Sequence, residues 1–217
     1  MNLTISEELT KGAEAIISRG AFVDLLIIIK HRVPKLYRHP NIDSMIRLHR
    51  IRAEAKIMTY AWKIGVNVPS LLGIDIQNYS LFIESIQGEL LFVVLNDKPM
   101  NELSQIFSKL GDQIGVLHSN DIIHGDLTVF NVILKEPKIP CIIDFGLSKI
   151  SADIEAKADD LLTFYSTLKA IHLEFQNLFN SFLQGYLNGY SEGKKTYQQM
   201  KKIQSRARYI ARDERLV

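Results

Sequence analysis

Two polar interruptions of apolar strand-like runs constrain this chain more than any other feature. In IIHGDLTVFNVIL, residues 122–134, the residues His124, Gly125, Asp126 and Asn131 sit between aliphatic runs. Shortly after, CIIDFG ends an apolar run on Asp144. Polar groups set among buried residues must be satisfied locally or kept for chemistry. Asp126 precedes Asn131 by five residues on a predicted loop, and Asp144 follows a predicted strand. Two carboxylates and an amide oxygen on strand-flanked loops suit a hard cation. Mg2+ takes oxygen ligands and completes its shell with water and substrate phosphates. The pattern fits phosphoryl transfer, in which one Asp orients the attacking group while the Asn and the second Asp hold metal on a triphosphate. The plainer readings are a turn-capping carboxylate for Asp126, a strand-end turn for Asp144, and a loop-bracing hydrogen bond for His124.

The rest of the chain supplies two kinds of structure. LTISEEL, AEAIIS and AFVDLLIIIK read as short strands separated by Gly12 and Gly20. DSMIRLHRIRAEAKIMTYAWKIG reads as a helix with Met45, Ile46, Ile57 and Ala61 on its apolar side and Gly65 as its stop. LLGIDIQ and YSLFIESI return to strand around a QNY turn. Beyond Gly88, Leu103, Ile106, Phe107, Leu110, Ile114 and Leu117 form a helical stripe. NVILK and CIIDF read as strands about a Pro137 turn, and from Asp153 the chain reads as helix, with Gly185, Gly189 and Gly193 as breaks. The expected organisation is a β-rich lobe with one main helix over 1–87, a hinge at ESIQG, and a mainly helical lobe over 88–217.

Composition narrows the class. Of 217 residues, 47% are hydrophobic and 23% charged, which places the chain among globular proteins with a real core. The one cysteine, Cys141, cannot form a disulfide within the chain and fits a reducing compartment. It lies in an apolar strand and reads as packing. The start MNLTISEELTKG has no apolar signal-peptide core, and the longest aliphatic run, LLIII, is too short to span a bilayer. These features predict a cytoplasmic or nuclear protein that does not engage a membrane. His31, His39 and His49 lack zinc-site spacing. Phe175, Phe179, Phe182 and Tyr186 recur at helical spacing, as core or partner contacts do.

HGDLTVFN followed by DFG resembles the protein-kinase-like superfamily, whose catalytic loop carries Asp, then Asn five residues later, then an Asp-Phe-Gly element. The resemblance makes Asp126 the catalytic base and Asn131 and Asp144 the metal ligands. It also implies a strand-end Lys paired with a helical Glu. LLIIIK ends on Lys30 and the helix carries Glu54; the alternative is an exposed, unpaired Lys and Glu. In LFIESIQG, Glu84 and Ile86 would offer backbone groups to an adenine ring, for which their side chains need not matter.

Departures narrow the family. A glycine-rich loop is missing, HGD replaces His-Arg-Asp, Thr128 stands where many protein kinases have a phosphate-facing Lys, and no Ala-Pro-Glu follows DFG. The run after Asp144 is short for a peptide-binding lobe. KGAEA, IKHRVPKLYRHPNID, RAEAKIM, HGDLTVFN, IDFGLSKIS and KADDLL resemble the small atypical serine/threonine kinases of the KEOPS complex, called the PRPK family in animals. The resemblance covers almost the whole chain. It implies a compact bilobal α+β kinase-like fold with a reduced helical C-lobe, which uses ATP and Mg2+ as kinase or ATPase. It also implies the threonylcarbamoyladenosine-synthesising subunit and other KEOPS subunits as partners. Lys35, Arg38, Arg47, Arg50 and Arg52, with Arg206, Arg208, Arg212 and Arg215 in the tail, are candidates for tRNA phosphates or for solvated faces. Competing readings are a small-molecule kinase of the aminoglycoside- or choline-kinase type, which also uses HGD loops, and a non-catalytic scaffold.

Overall fold

The computed structural model describes residues 3–12, 14–23, 25–135 and 138–213, with side chains other than those of Leu3, Ile5, Ser6 and 207–213. The predicted turn at Pro137 and the predicted basic residue Arg215 lie outside the described residues, as do the side chains of Arg208 and Arg212. The chain is α+β and divides into two compact units, Met1–Gln87 and Gly88–Val217. Among the described residues no helix is long and apolar enough to cross a membrane.

The first unit is an antiparallel sheet with one long helix. Its strands are β1 (Leu3–Lys11), β2 (Ile16–Phe22), β3 (Leu25–His31), β4 (Leu71–Asp75) and β5 (Ser80–Glu84), in the order β1-β2-β3-β5-β4. Helix α1 (Pro40–Lys63) packs on β4 and β5. Pro40 opens it at a position where a missing N–H costs nothing, and Gly65 follows its end at φ +86°. Its buried side is Ile51, Ala55, Ile57, Met58 and Ala61. Ile57 and Ala61 were expected there. Met45, also expected, is 72% exposed, because the first turns of α1 are anchored by polar contacts of Asp43 instead. Gly20 lies inside β2, not between strands: a Cβ there would come within 2.7 Å of the Thr4 carbonyl oxygen on β1.

The second unit starts with β6 (Glu89–Leu90) and α2 (Leu91–Val94), followed by α3 (Met100–Ser119). Strands β7 (Ile122–Ile123), β8 (Val132–Lys135), β9 (Ile139–Ile142) and β10 (Lys149–Ile150) follow, then α4 (Ile154–Ile171), α5 (Phe175–Gly189) and α6 (Gly193–Asp213). The predicted stripe on α3 is fully buried from Leu103 to Leu117. Helices α3 and α5 meet through reciprocal glycines. A Cβ on Gly111 would overlap the Phe182 carbonyl, and one on Gly185 would overlap that of Ser108. Gly185 is therefore not a helix break; it allows backbone-to-backbone approach. Gly189 and Gly193 do flank the gap between α5 and α6. Phe179, Phe182 and Tyr186 are buried and in ring contact along α5, and Cys141 is buried in β9.

Candidate functional site

In the first unit, strand register puts a lysine in front of the helix. Lys30 pairs across the sheet with Leu81, so the two share a face, and Leu81 packs on Ile51 and Ala55 of α1. Glu54 lies about one turn after Ile51 on α1, and Lys30 Nζ donates to Glu54 Oε1 at 2.7 Å. Both groups are buried, so the exposed, unpaired alternative does not hold. A second cation shares the same carboxylate: Arg32 Nη2 donates to Glu54 Oε2 at 2.6 Å.

Glu84, at the end of β5, has its amide bonded to Ser70 O at 2.9 Å. Its carboxylate is not idle. Glu84 Oε2 accepts from Ser70 N at 3.0 Å and from Ser70 Oγ at 2.9 Å, so the side chain ties β5 to the segment before β4. Ile86 is half-buried two residues on, beyond Ser85, whose N–H bonds Leu26 O at 3.2 Å.

In the second unit two loops are clamped at both ends. Residues 124–131 run from β7 to β8, and residues 143–148 run from β9 to β10. At one end β7 pairs with β10, Ile123 opposite Lys149; at the other β8 pairs with β9, Val132 opposite Ile142. Beside that pair Ile143 N donates to Asn131 O at 3.0 Å, so Asn131 and the residue before Asp144 are neighbours.

Within this frame the polar groups organise one another. Asn131 Nδ2 donates to Asp126 O at 2.8 Å and to Asp126 Oδ2 at 3.0 Å. Its N–H groups are thereby committed, and its amide oxygen remains the acceptor that a cation needs. The Asp126 N–H donates to His124 Nδ1 at 3.3 Å, which places the ring proton on Nε2, and Nε2 donates to Ile143 O at 3.1 Å. His124 thus braces both loops, as its plainer reading expected. Asp144 is exposed at φ +62°, a left-handed backbone that Asp tolerates better than most residues, and its Oδ1 accepts from Gly146 N at 3.1 Å.

The residue that fixes the loop was given no role by sequence reasoning. Asp160 on α4 is buried and accepts from His124 N at 2.6 Å, Gly125 N at 2.8 Å and His118 Nε2 at 3.2 Å. His118 Nδ1 in turn meets Tyr186 Oη at 2.9 Å. Burial alone would push the Asp160 carboxyl up; the hydrogen bond and charge of His118, with His124, outweigh it and hold it below the usual carboxylate range. The available signal was the Asp pair in KADDLL, whose contact with residue 124 lies too far along the chain to read locally. Lys157, one turn earlier on α4, is also buried and donates to Asp121 Oδ1 at 2.7 Å and Tyr190 Oη at 3.1 Å.

The predicted basic cluster is partly consumed. Arg47 Nε donates to the buried Asp43 at 2.7 Å, Arg38 lies 3.5 Å from it, and Arg50 pairs with Glu14. Lys35 contributes its backbone N–H to Asp43 at 3.3 Å. Burial would raise the Asp43 carboxyl, but the Arg47 hydrogen bond and neighbouring cations hold it low. Arg52 is exposed and lines an open groove with Lys56, Lys63 and Tyr60, floored by Leu71 and Ile74. Arg206 is exposed on α6.

Comparison with known proteins places these features in a family. The model for the RIO domain matches residues 28–163, a span that includes Lys30, Glu54, Glu84, Ile86, Asp126, Asn131, Asp144 and Asp160. The KEOPS complex subunit Bud32 of Pyrococcus abyssi is 37% identical over 211 residues, covering 93% of this chain and 96% of that protein. The EKC/KEOPS complex subunit bud32 of Dictyostelium discoideum is 34% identical, covering 92% of this chain and 82% of that one. A probable bifunctional tRNA threonylcarbamoyladenosine biosynthesis protein of Methanosphaera stadtmanae is 39% identical over 92% of this chain, and the chain spans only 36% of that relative's length.

Proposed function

The chain belongs to the RIO domain family and, within it, to the family of the KEOPS subunit Bud32, and from that premise we propose that it is an ATP-dependent kinase or ATPase. Its substrate complex is MgATP. Asp126 is the catalytic residue: it orients a hydroxyl or water and accepts its proton, with Asn131 holding the carboxylate through Nδ2. The amide oxygen of Asn131 and the carboxylate of Asp144 form an oxygen-only pair of ligands on adjoining strand ends, a donor set suited to Mg2+. Such an ion, when bound, neutralises charge on the phosphates. Lys30, oriented by Glu54, supplies the second positive contact to them, and Glu84 and Ile86 offer backbone groups to the adenine.

The single observation that carries this reading is the double strand clamp on the two loops, which makes Asp126, Asn131 and the approach to Asp144 one preorganised unit. By family, the partners are other KEOPS subunits, among them the one that makes threonylcarbamoyladenosine. Support for tRNA phosphates as a further contact comes from Arg52, Lys56 and Lys63 around one groove, and such binding would weaken as salt rises.

The test is ATP turnover, measured with and without partner subunits. Asp126→Ala retains ATP affinity and loses about 10²–10⁴-fold in turnover. Undiminished phosphate release from that variant, in a preparation free of contaminating ATPase, refutes the role.

A further inference from the structure

The outer edge of the first sheet is irregular. Strand β4 lies at that edge, beside β5, and its pairing shifts between Leu71 and Gly73. In a regular strand, residues three apart point to opposite faces. The extra residue of the bulge cancels one alternation, so Leu71 and Ile74 fall on one side. With Ala55 and Thr59 of α1 they floor a groove of about 480 Å³, a volume that suits a small organic group. The floor is partly open to solvent, Ile74 being 41% exposed, and Tyr60, 37% exposed, lines it as well.

The rim of this groove is positive. Arg52 and Lys56 stand about one turn apart on the exposed side of α1, and Lys63 follows about two turns later. Among the described residues none of these three is in an ion pair, and no carboxylate lines the groove. The first turns of α1 differ, since Asp43 holds both Arg38 and Arg47 there. Lys63 has a structural reason to be basic, because cations are favoured in the last turn of a helix. Arg52 and Lys56 have none: like charges one turn apart repel, and no Asp or Glu stands three or four residues from either. An anionic ligand would offset that repulsion.

We propose that this groove binds single-stranded RNA, with phosphates on Arg52, Lys56 and Lys63 and an unstacked base on the apolar floor beside Tyr60. This rests on the tRNA contact proposed above and narrows it. A duplex presents phosphates but keeps its bases stacked, so an apolar floor adds nothing to its binding. A single strand presents phosphates and base faces together, and stacking on an aromatic side chain tolerates any sequence. An acidic peptide meets the cations but brings no base to the floor.

The test is fluorescence anisotropy of the full chain with a labelled mixed-sequence RNA single strand and with a blunt RNA duplex of the same length, at several salt concentrations. The single strand is expected to bind more tightly than the duplex, with affinity falling as salt rises. Arg52→Gln combined with Lys56→Gln is expected to weaken both RNAs and to reduce the salt slope by about one per residue. Tyr60→Ala is expected to weaken the single strand about tenfold and leave the duplex unchanged, while Tyr60→Phe, which keeps the ring, stays within about threefold of the parent. Should Tyr60→Ala lack a cooperative thermal transition, Ile74→Gln, at a surface position, takes its place with the same selective loss expected. Equal binding of the two RNAs by the parent, or a Tyr60→Ala effect that is absent or equal for both, overturns the base contact and leaves the phosphate contact standing. No salt-dependent binding by the parent, or a double variant that binds both RNAs as the parent does, sinks the tRNA contact at this groove altogether. Displacement of the single strand by a polyglutamate peptide of equal charge overturns the proposal in favour of an acidic protein partner.

Discussion

The two units bury polar networks of comparable size by opposite means. In the first, side-chain charges satisfy one another: Lys30 and Arg32 meet Glu54, while Arg38 and Arg47 meet Asp43. In the second, one carboxylate, Asp160, grips backbone amides of the loop it supports and a histidine behind it. Charge-on-charge contacts tune electrostatics at a point, because each ion changes what its neighbour can still bind. A carboxylate on main-chain N–H groups fixes a loop's shape. The first arrangement suits groups that meet a charged ligand; the second suits groups that must be held at a fixed distance from one another.

That contrast breaks most readily at Asp160. Asp160→Ala strands the amides of His124 and Gly125 and the ring of His118, and it should cost about 3–5 kcal/mol of unfolding free energy. Lys30→Met should cost far less, since Arg32 still holds Glu54. Denaturant titration of both variants checks the order, and equal losses would erase the distinction between the networks.

The helix pair beneath the second network gives the next effect. Gly185→Ala drives a methyl group into the Ser108 carbonyl and must separate α3 from α5, at about 1–3 kcal/mol. Gly20→Ala in the first unit meets Thr4 O at the less severe 2.7 Å and should lower the melting temperature less. Thermal unfolding of the two variants compares the packing directly.

The smallest effect is on acid stability. Asp160 and Asp43 both have carboxyls held low in the folded state, so unfolding raises their proton affinity. Their stabilisation is present above the ordinary carboxylate pKa, about 3.9, and fades as pH falls through the lower folded values. Asp43→Asn should flatten that acid loss slightly. Unfolding measured between pH 6 and pH 2 checks it, and an acid limb identical to the parent's counts against the Asp43 network.

Much of this arrangement was legible because it is local. HGDLTVFN and DFG are short motifs, the α3 stripe has clean helical period, and Lys30 stands at a strand end. What was not legible depends on distant contacts. Asp160 touches residue 124 only after the chain has passed through β8, β9 and β10. Gly185 looks like a helix break because glycine is a poor helix former, and only the facing carbonyl of Ser108 explains it. Met45 fits an apolar period but lies in a turn that Asp43 and Arg47 tether, so the local pattern loses to polar anchoring. Arg32 went unremarked because arginine is ordinarily a surface residue.

The most direct measurement is ATP affinity with and without Mg2+ in the parent, Lys30→Met and Asp144→Asn chains. If Lys30 meets phosphates by charge and Asp144 by way of metal, Mg2+ tightens ATP binding in the parent and in Lys30→Met but not in Asp144→Asn. A full Mg2+-dependent gain in Asp144→Asn would contradict the account.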